Sequence, residues 1–127
     1  MVAQSHHWFA VQPPVMSSHS TTIKVNRSVA ETIESICASG ASIDLKTIHR
    51  GNSSVKLKEG FSWGFTNPVT VTVEAKPIDN SESMVEFHAK NIGYGPIQRG
   101  HCQHIVDQLQ EGMTMFNPGG INASYLR

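Results

Sequence analysis

The sequence predicts an α+β domain: a strand, a helix, four antiparallel strands and a second helix, with both helices packed on one face of a curved antiparallel sheet. Three observations predict it. Val69, Val71, Val73 and Ala75 alternate with Thr70, Thr72, Glu74 and Lys76, the period of a half-buried strand. Val85, Phe87 and Ala89 alternate in the same way with Glu86, His88 and Lys90. Ile105, Leu109, Met113 and Phe116 then recur at three- and four-residue spacing, and Cys102 and Val106 widen that stripe. The second parity of the strands is polar, so one sheet face is the core side and the helices must cover it.

Taken in order, residues 1–20 read as a flexible leader. Pro13-Pro14 favours extended backbone, and Ser17-Ser18-His19-Ser20 is a polar run. Thr21 to Val25 reads as a short strand with Ile23 and Val25 inward. Ser28 opens a helix, with Glu31 three residues later completing a capping box. Val29, Ile33, Ile36 and Cys37 form its apolar stripe, and Gly40 supplies the stop. Ile43 and Leu45 begin the next strand, whose parity Ile48 breaks, which predicts a bulge or an early end. After a turn at Gly51-Asn52, Val55, Leu57, Phe61, Trp63 and Phe65 share one parity of a long strand. Glu59 falls on the same parity beside Gly60, and a glycine bulge there is expected to turn it outward. Val69 to Lys76 and Met84 to Lys90 supply the last two strands. Gly93-Tyr94-Gly95-Pro96 makes the joint into the closing helix, which ends before Asn117-Pro118-Gly119-Gly120. Residues 21–116 thus form one domain, and residues 117–127 read as a frayed tail.

Composition narrows function without identifying it. The chain has 127 residues and equal numbers of acidic and basic side chains, so net charge points neither to nucleic acid nor to acidic substrates. The N-terminus lacks the basic and apolar regions of a signal peptide, and no apolar run reaches the roughly 20 residues of a membrane span. Two cysteines on predicted apolar helix faces read as buried, reduced thiols, and the expected compartment is the cytoplasm.

The order of elements over residues 21–116 resembles TATA-binding-protein-like and small helix-grip domains, in which a curved antiparallel sheet wraps a long C-terminal helix. The Phe61-Ser62-Trp63-Gly64 strand and the Gly93-Tyr94-Gly95-Pro96 joint also resemble uncharacterised bacterial domains of this size. These resemblances imply a layout and no activity.

His101-Cys102-Gln103-His104, with His88 on the preceding strand, contains zinc-ligand types. At 100° per residue Cys102 lies inside the apolar stripe, His101 at its edge and His104 outside it, so the side chains diverge and no metal site is expected. Paired carboxylates in one cleft, a nucleophile elbow and a phosphate-binding loop are absent, which argues against an enzyme and against a cofactor. Two binding surfaces stand out instead. All six lysines (Lys24, Lys46, Lys56, Lys58, Lys76 and Lys90) and His88 fall on the polar parity of strands, where Asp44, Glu74 and Glu86 leave a net charge of plus three. The second is a pocket between sheet and helix lined by Phe61, Trp63, Phe65, Phe87 and Met113, suited to a small apolar ligand. The leading expectation is a non-catalytic binding domain that meets a protein partner or a second copy through the open sheet face or an edge strand. A carrier of an apolar ligand and a binder of an anionic partner are the alternatives. No aromatic residue on the lysine parity is placed to stack with bases, which argues against nucleic acid.

Overall fold

A computed structural model describes residues 16–60 and 66–116. The described elements run β1 (Met16–Val25), α1 (Val29–Ser42), β2 (Leu45–Arg50), β3 (Ser54–Glu59), β4 (Thr70–Pro77), β5 (Ser83–Ile92) and α2 (Pro96–Phe116). The strands form one antiparallel sheet in the order β1-β5-β4-β3-β2. Both helices lie on the same face and against each other, α1 over β2, β3 and β4 and α2 over β5 and β1. The α+β class and element order are those that the sequence predicts. Among the described residues no helix is long and apolar enough to cross a membrane.

Local chemistry sets several boundaries. The Ser28 hydroxyl accepts the Glu31 N–H and the Glu31 carboxylate accepts the Ser28 N–H, so the capping box is present. Gly40 does not stop α1, which continues to Ser42. A β-carbon at Gly40 would stand 3.3 Å from Leu57 and 3.5 Å from Leu45, so glycine serves the close approach of helix to sheet. The turn is made instead at Asp44, whose φ of 64° lies in the left-handed region that Asp tolerates better than most residues. Gly93 and Gly95, at φ 103° and 100°, form the joint that swings the chain from β5 into α2.

β1 begins at Met16, not Thr21, so residues 16–20 belong to the sheet rather than to a leader. Pairing decides this: Met16 to Ser20 lie opposite Ile92 to His88 of β5, and inward-facing Ser17 donates to the Gly93 carbonyl at 2.9 Å. The register of β2 against β3 shifts between Thr47 and His49, the bulge that Ile48 predicts. β3 is described to Glu59. Phe61, Trp63 and Phe65 lie outside the described residues.

The core between the layers includes Val25, Ile33, Ile36, Leu57, Val71, Val73, Phe87, Ile105, Leu109 and Met113, each no more than 4% exposed. The helix–helix contact is made of small side chains. Ser35, Ser39 and Gly40 are buried on α1, the Ser39 hydroxyl donates to the Leu109 carbonyl at 2.8 Å, and Gly112 packs against Ser39. Arg27, 1% exposed, donates to the Ser35 hydroxyl and to the Met113 carbonyl, while its own carbonyl accepts from Ser83. One buried side chain thereby ties both helices together, and its backbone ties them to β5.

A β-carbon on Gly112 would meet the Ser39 Oγ at 2.0 Å and its Cβ at 2.9 Å. Alanine is the better helix former by about 1 kcal/mol, but overpacking costs roughly 1–3 kcal/mol, so Gly112→Ala is expected to destabilise. Urea unfolding should show a lower midpoint, and adding Ser39→Gly should recover part of the loss.

Candidate functional site

Among the described residues two helices cover one face and leave the other open, and strand register decides what that open face presents. Directly opposed residues point to the same side. Reading across the sheet, Lys46, Lys58, Thr70, Lys90 and Ser18 form one row. His49, Lys56, Thr72, His88 and Ser20 form the next. With strands about 4.8 Å apart, Lys46 and Lys58 are immediate neighbours and Lys58 and Lys90 are roughly 10 Å apart at their α-carbons. Lys56 sits about 7 Å from Lys58 along β3. The bulge at Ile48 matters here. Without the extra residue, His49 would point to the helix side and Arg50 to the open side. With it, Arg50 turns to α1 and pairs with Glu34 at 2.8 Å, and that bond raises the guanidinium pKa further.

The acids stand apart from these two rows. Glu74 and Glu86 oppose each other in the row beyond, and Asp44 lies in the turn before β2. Of the other two lysines, Lys24 pairs with Glu82 at 3.4 Å and Lys76 lies opposite Met84 at the far end. The lysine parity therefore divides into a basic end whose two rows hold four lysines and no acid, with Asp44 in the turn beside Lys46, then an acidic band and a second basic margin. The His88 Nδ1 is 2.6 Å from the Ser20 hydroxyl. Two grooves open on this face. One of about 680 Å³ runs over the acidic band beside His88, and one of about 350 Å³ lies at the basic end between Lys58 and Lys90.

A second polar cluster lies inside, where α2 starts. Glu59 keeps the inward parity of β3 instead of bulging outward, because it has partners there. Its Oε1 accepts the Val69 N–H at 3.1 Å and lies 2.8 Å from the His101 Nε2, with both side chains largely buried. A carboxylate at that depth needs such partners to offset lost hydration. Gln98 accepts from the Asn67 N–H and the Asn91 amide, each at 2.9 Å, and the Asn67 amide donates to the Ile92 carbonyl at 2.7 Å. Cys102 is fully buried with its Sγ 3.4 Å from the Asn91 Oδ1, and burial together with the Glu59 charge pushes its pKa up. These groups satisfy one another and fasten the first turns of α2 to the sheet. His101 faces Glu59, Cys102 faces Asn91 and His104 is exposed, so the three diverge. A protonated, enclosed thiol is a poor nucleophile.

Of the residues named for an internal pocket, Phe87 and Met113 are fully buried in the core, and Phe61, Trp63 and Phe65 lie outside the described residues. Sequence reasoning did not single out Asn67, Asn91 or Gln98 as a unit. Only Asn91 and Gln98 flank the glycine joint in sequence; Asn67 lies in a separate turn, so no local signal joins the three.

No family model and no curated protein matches the chain. Among solved structures it is similar to Ara h 8.0201, at 8% identity over 80% of this chain and 94% of that one, with a TM-score of 0.50. It is also similar to Zhui aromatase/cyclase from Streptomyces sp. R1128 (9% identity, 84% of this chain, 100% of that chain, TM-score 0.40). A third is the di-domain ARO/CYC StfQ from the steffimycin biosynthetic pathway (5% identity, 76% and 44%, TM-score 0.43). The likeness to Ara h 8.0201 is one of fold alone, and it places the chain with helix-grip architectures.

Cys102 is fully buried, whereas Cys37, expected to be buried, is only partly so. A thiol reagent should label Cys37 in the native protein and reach Cys102 only on unfolding, with peptide mapping as the readout. His101→Leu removes one of the interior partners of Glu59 and should cost about 1–3 kcal/mol in chemical unfolding.

Proposed function

We propose that this domain acts by binding, and that the basic end of its open sheet face receives an anionic partner. The observation that carries the reading is the register: it aligns Lys46, Lys58 and Lys90 in one row and sets Lys56 with His49 and His88 in the next, with no acid in either. Lysines whose α-carbons stand about 5–10 Å apart on a firm sheet attract anions at short range and steer them at longer range. Hydroxyls of Thr70, Thr72, Ser18 and Ser20 interleave with the lysines and supply hydrogen bonds to the same ligand.

The other expectations fit less well. No Phe, Tyr or Trp side chain stands in the two rows, so the large aromatic platform on which bases stack best is missing there. β2, an edge of the described sheet, carries a bulge, a feature that blunts strand addition, so the face is favoured over that edge. Phe87 and Met113 serve packing, and displacing them for an internal ligand would sacrifice core contacts. A protein partner remains the natural occupant if it brings an acidic segment, and the same lysines would hold it.

The test is calorimetric titration with tripolyphosphate, a compact polyanion, at low ionic strength. Lys56→Glu with Lys58→Glu makes the four-lysine field neutral and should weaken binding at least about tenfold, and wild-type affinity should fall on raising salt to 0.15 M. Lys24→Glu with Lys76→Glu changes net charge equally at the other end and should leave affinity within about twofold. Equal losses in the two double variants would show that only net charge matters, and would defeat the proposal.

A further inference from the structure

The 350 Å³ groove at the head of the lysine rows has two chemistries side by side. Lys58 and Lys90 flank it with Thr70 between them, and Met16, Pro68 and Ile92 form its other wall. Met16 and Ile92 are cross-strand partners, 44% and 59% exposed. Tyr94 and Ile97, 78% and 57% exposed, follow within five residues of Ile92. Seven large apolar residues are exposed among those described, and two of them, Met16 and Ile92, line this groove beside the lysines. Scattered single residues would need no account, but a pair bordering a charged groove marks a binding surface.

We infer that the groove binds a small amphipathic anion, its head between Lys58 and Lys90 and its apolar chain along Met16 and Ile92. This rests on the anionic-partner reading and names the ligand's class. The wall is held in place from behind. Asn67 donates to the Ile92 carbonyl, and Gln98 accepts from both the Asn67 backbone and Asn91, so the ligand meets strands already fixed in position. A flat polyanion would use the lysines and leave the exposed side chains of Ile92 and Met16 in water. An amphipathic one covers both.

The experiment is an amide NMR titration of the intact chain with inorganic phosphate, octyl phosphate and octanol. Octyl phosphate should bind at least about tenfold more tightly than inorganic phosphate, since burying two methylenes supplies that factor. Shifts should centre on Lys58, Thr70, Lys90 and Ile92. Octanol, lacking the head, should not bind there. Ile92→Asn and Met16→Gln, each an exposed change, should separately reduce the octyl gain and together return octyl phosphate to within about twofold of inorganic phosphate. A gain that survives both substitutions, or no gain over inorganic phosphate, overturns the inference. If tripolyphosphate still binds through Lys56 and Lys58 in that case, the anionic-partner reading stands without it. If no anion binds, both fail.

Discussion

The close contact of α1 with α2 is the constraint on which the rest of this fold depends. Five strands at about 4.8 Å spacing make a sheet roughly 19 Å wide, and helices pack 8–10 Å apart, so two of them cover it only by lying in direct contact. Gly112 against Ser39 allows that approach. It also carries polar groups into an apolar layer, where each needs a partner: the Ser39 hydroxyl takes the Leu109 carbonyl, and Arg27 takes Ser35 and the Met113 carbonyl. Because both described helices are committed to one side, the described residues leave no helix for the other. The open face is thus a consequence of how the closed face is packed.

What was legible in the sequence was what is local. The period-two runs of β4 and β5, the Ser28–Glu31 box and the parity break at Ile48 each lie within a few residues, and each holds. What was not legible depends on distant partners. Gly40 reads as a stop, but its reason is Leu57, a strand away. Glu59 beside a glycine reads as turned outward, yet His101, 42 residues further on, holds it in. Ser17 to Ser20 read as a linker until β5 pairs with them. The lysine parity was visible in the sequence. Which lysines stand next to which was not, because the register and the bulge decide it.

The distribution of charge on the open face is not the one that stability alone would choose. Lys46 opposes Lys58, and Glu74 opposes Glu86. Like charges directly across strands are unfavourable by a few tenths of a kcal/mol, and exchanging one member of each pair would turn both into attractions. Water screens these exposed groups, so the penalty is small enough to persist. Its pattern is still informative. Solubility requires charged side chains on a bare sheet face, but it does not require them sorted by sign. Departures from a local rule without a local gain concentrate where a surface has a task.

The polar seam at the start of α2 bears on where that task can be performed. Asn67, Asn91 and Gln98 fasten the start of β4 and the end of β5, and Asn67 and Asn91 line the groove together with Thr70, Lys90 and Ile92. A ligand on the outside therefore uses a scaffold that is already ordered and displaces only water. A ligand on the inside that displaced Phe87, Leu109 or Met113, each fully buried, would trade folding energy for binding energy methylene by methylene. In a domain of this size, whose net stability is a small difference between large terms, the outer face is where affinity can be added without subtracting from the fold.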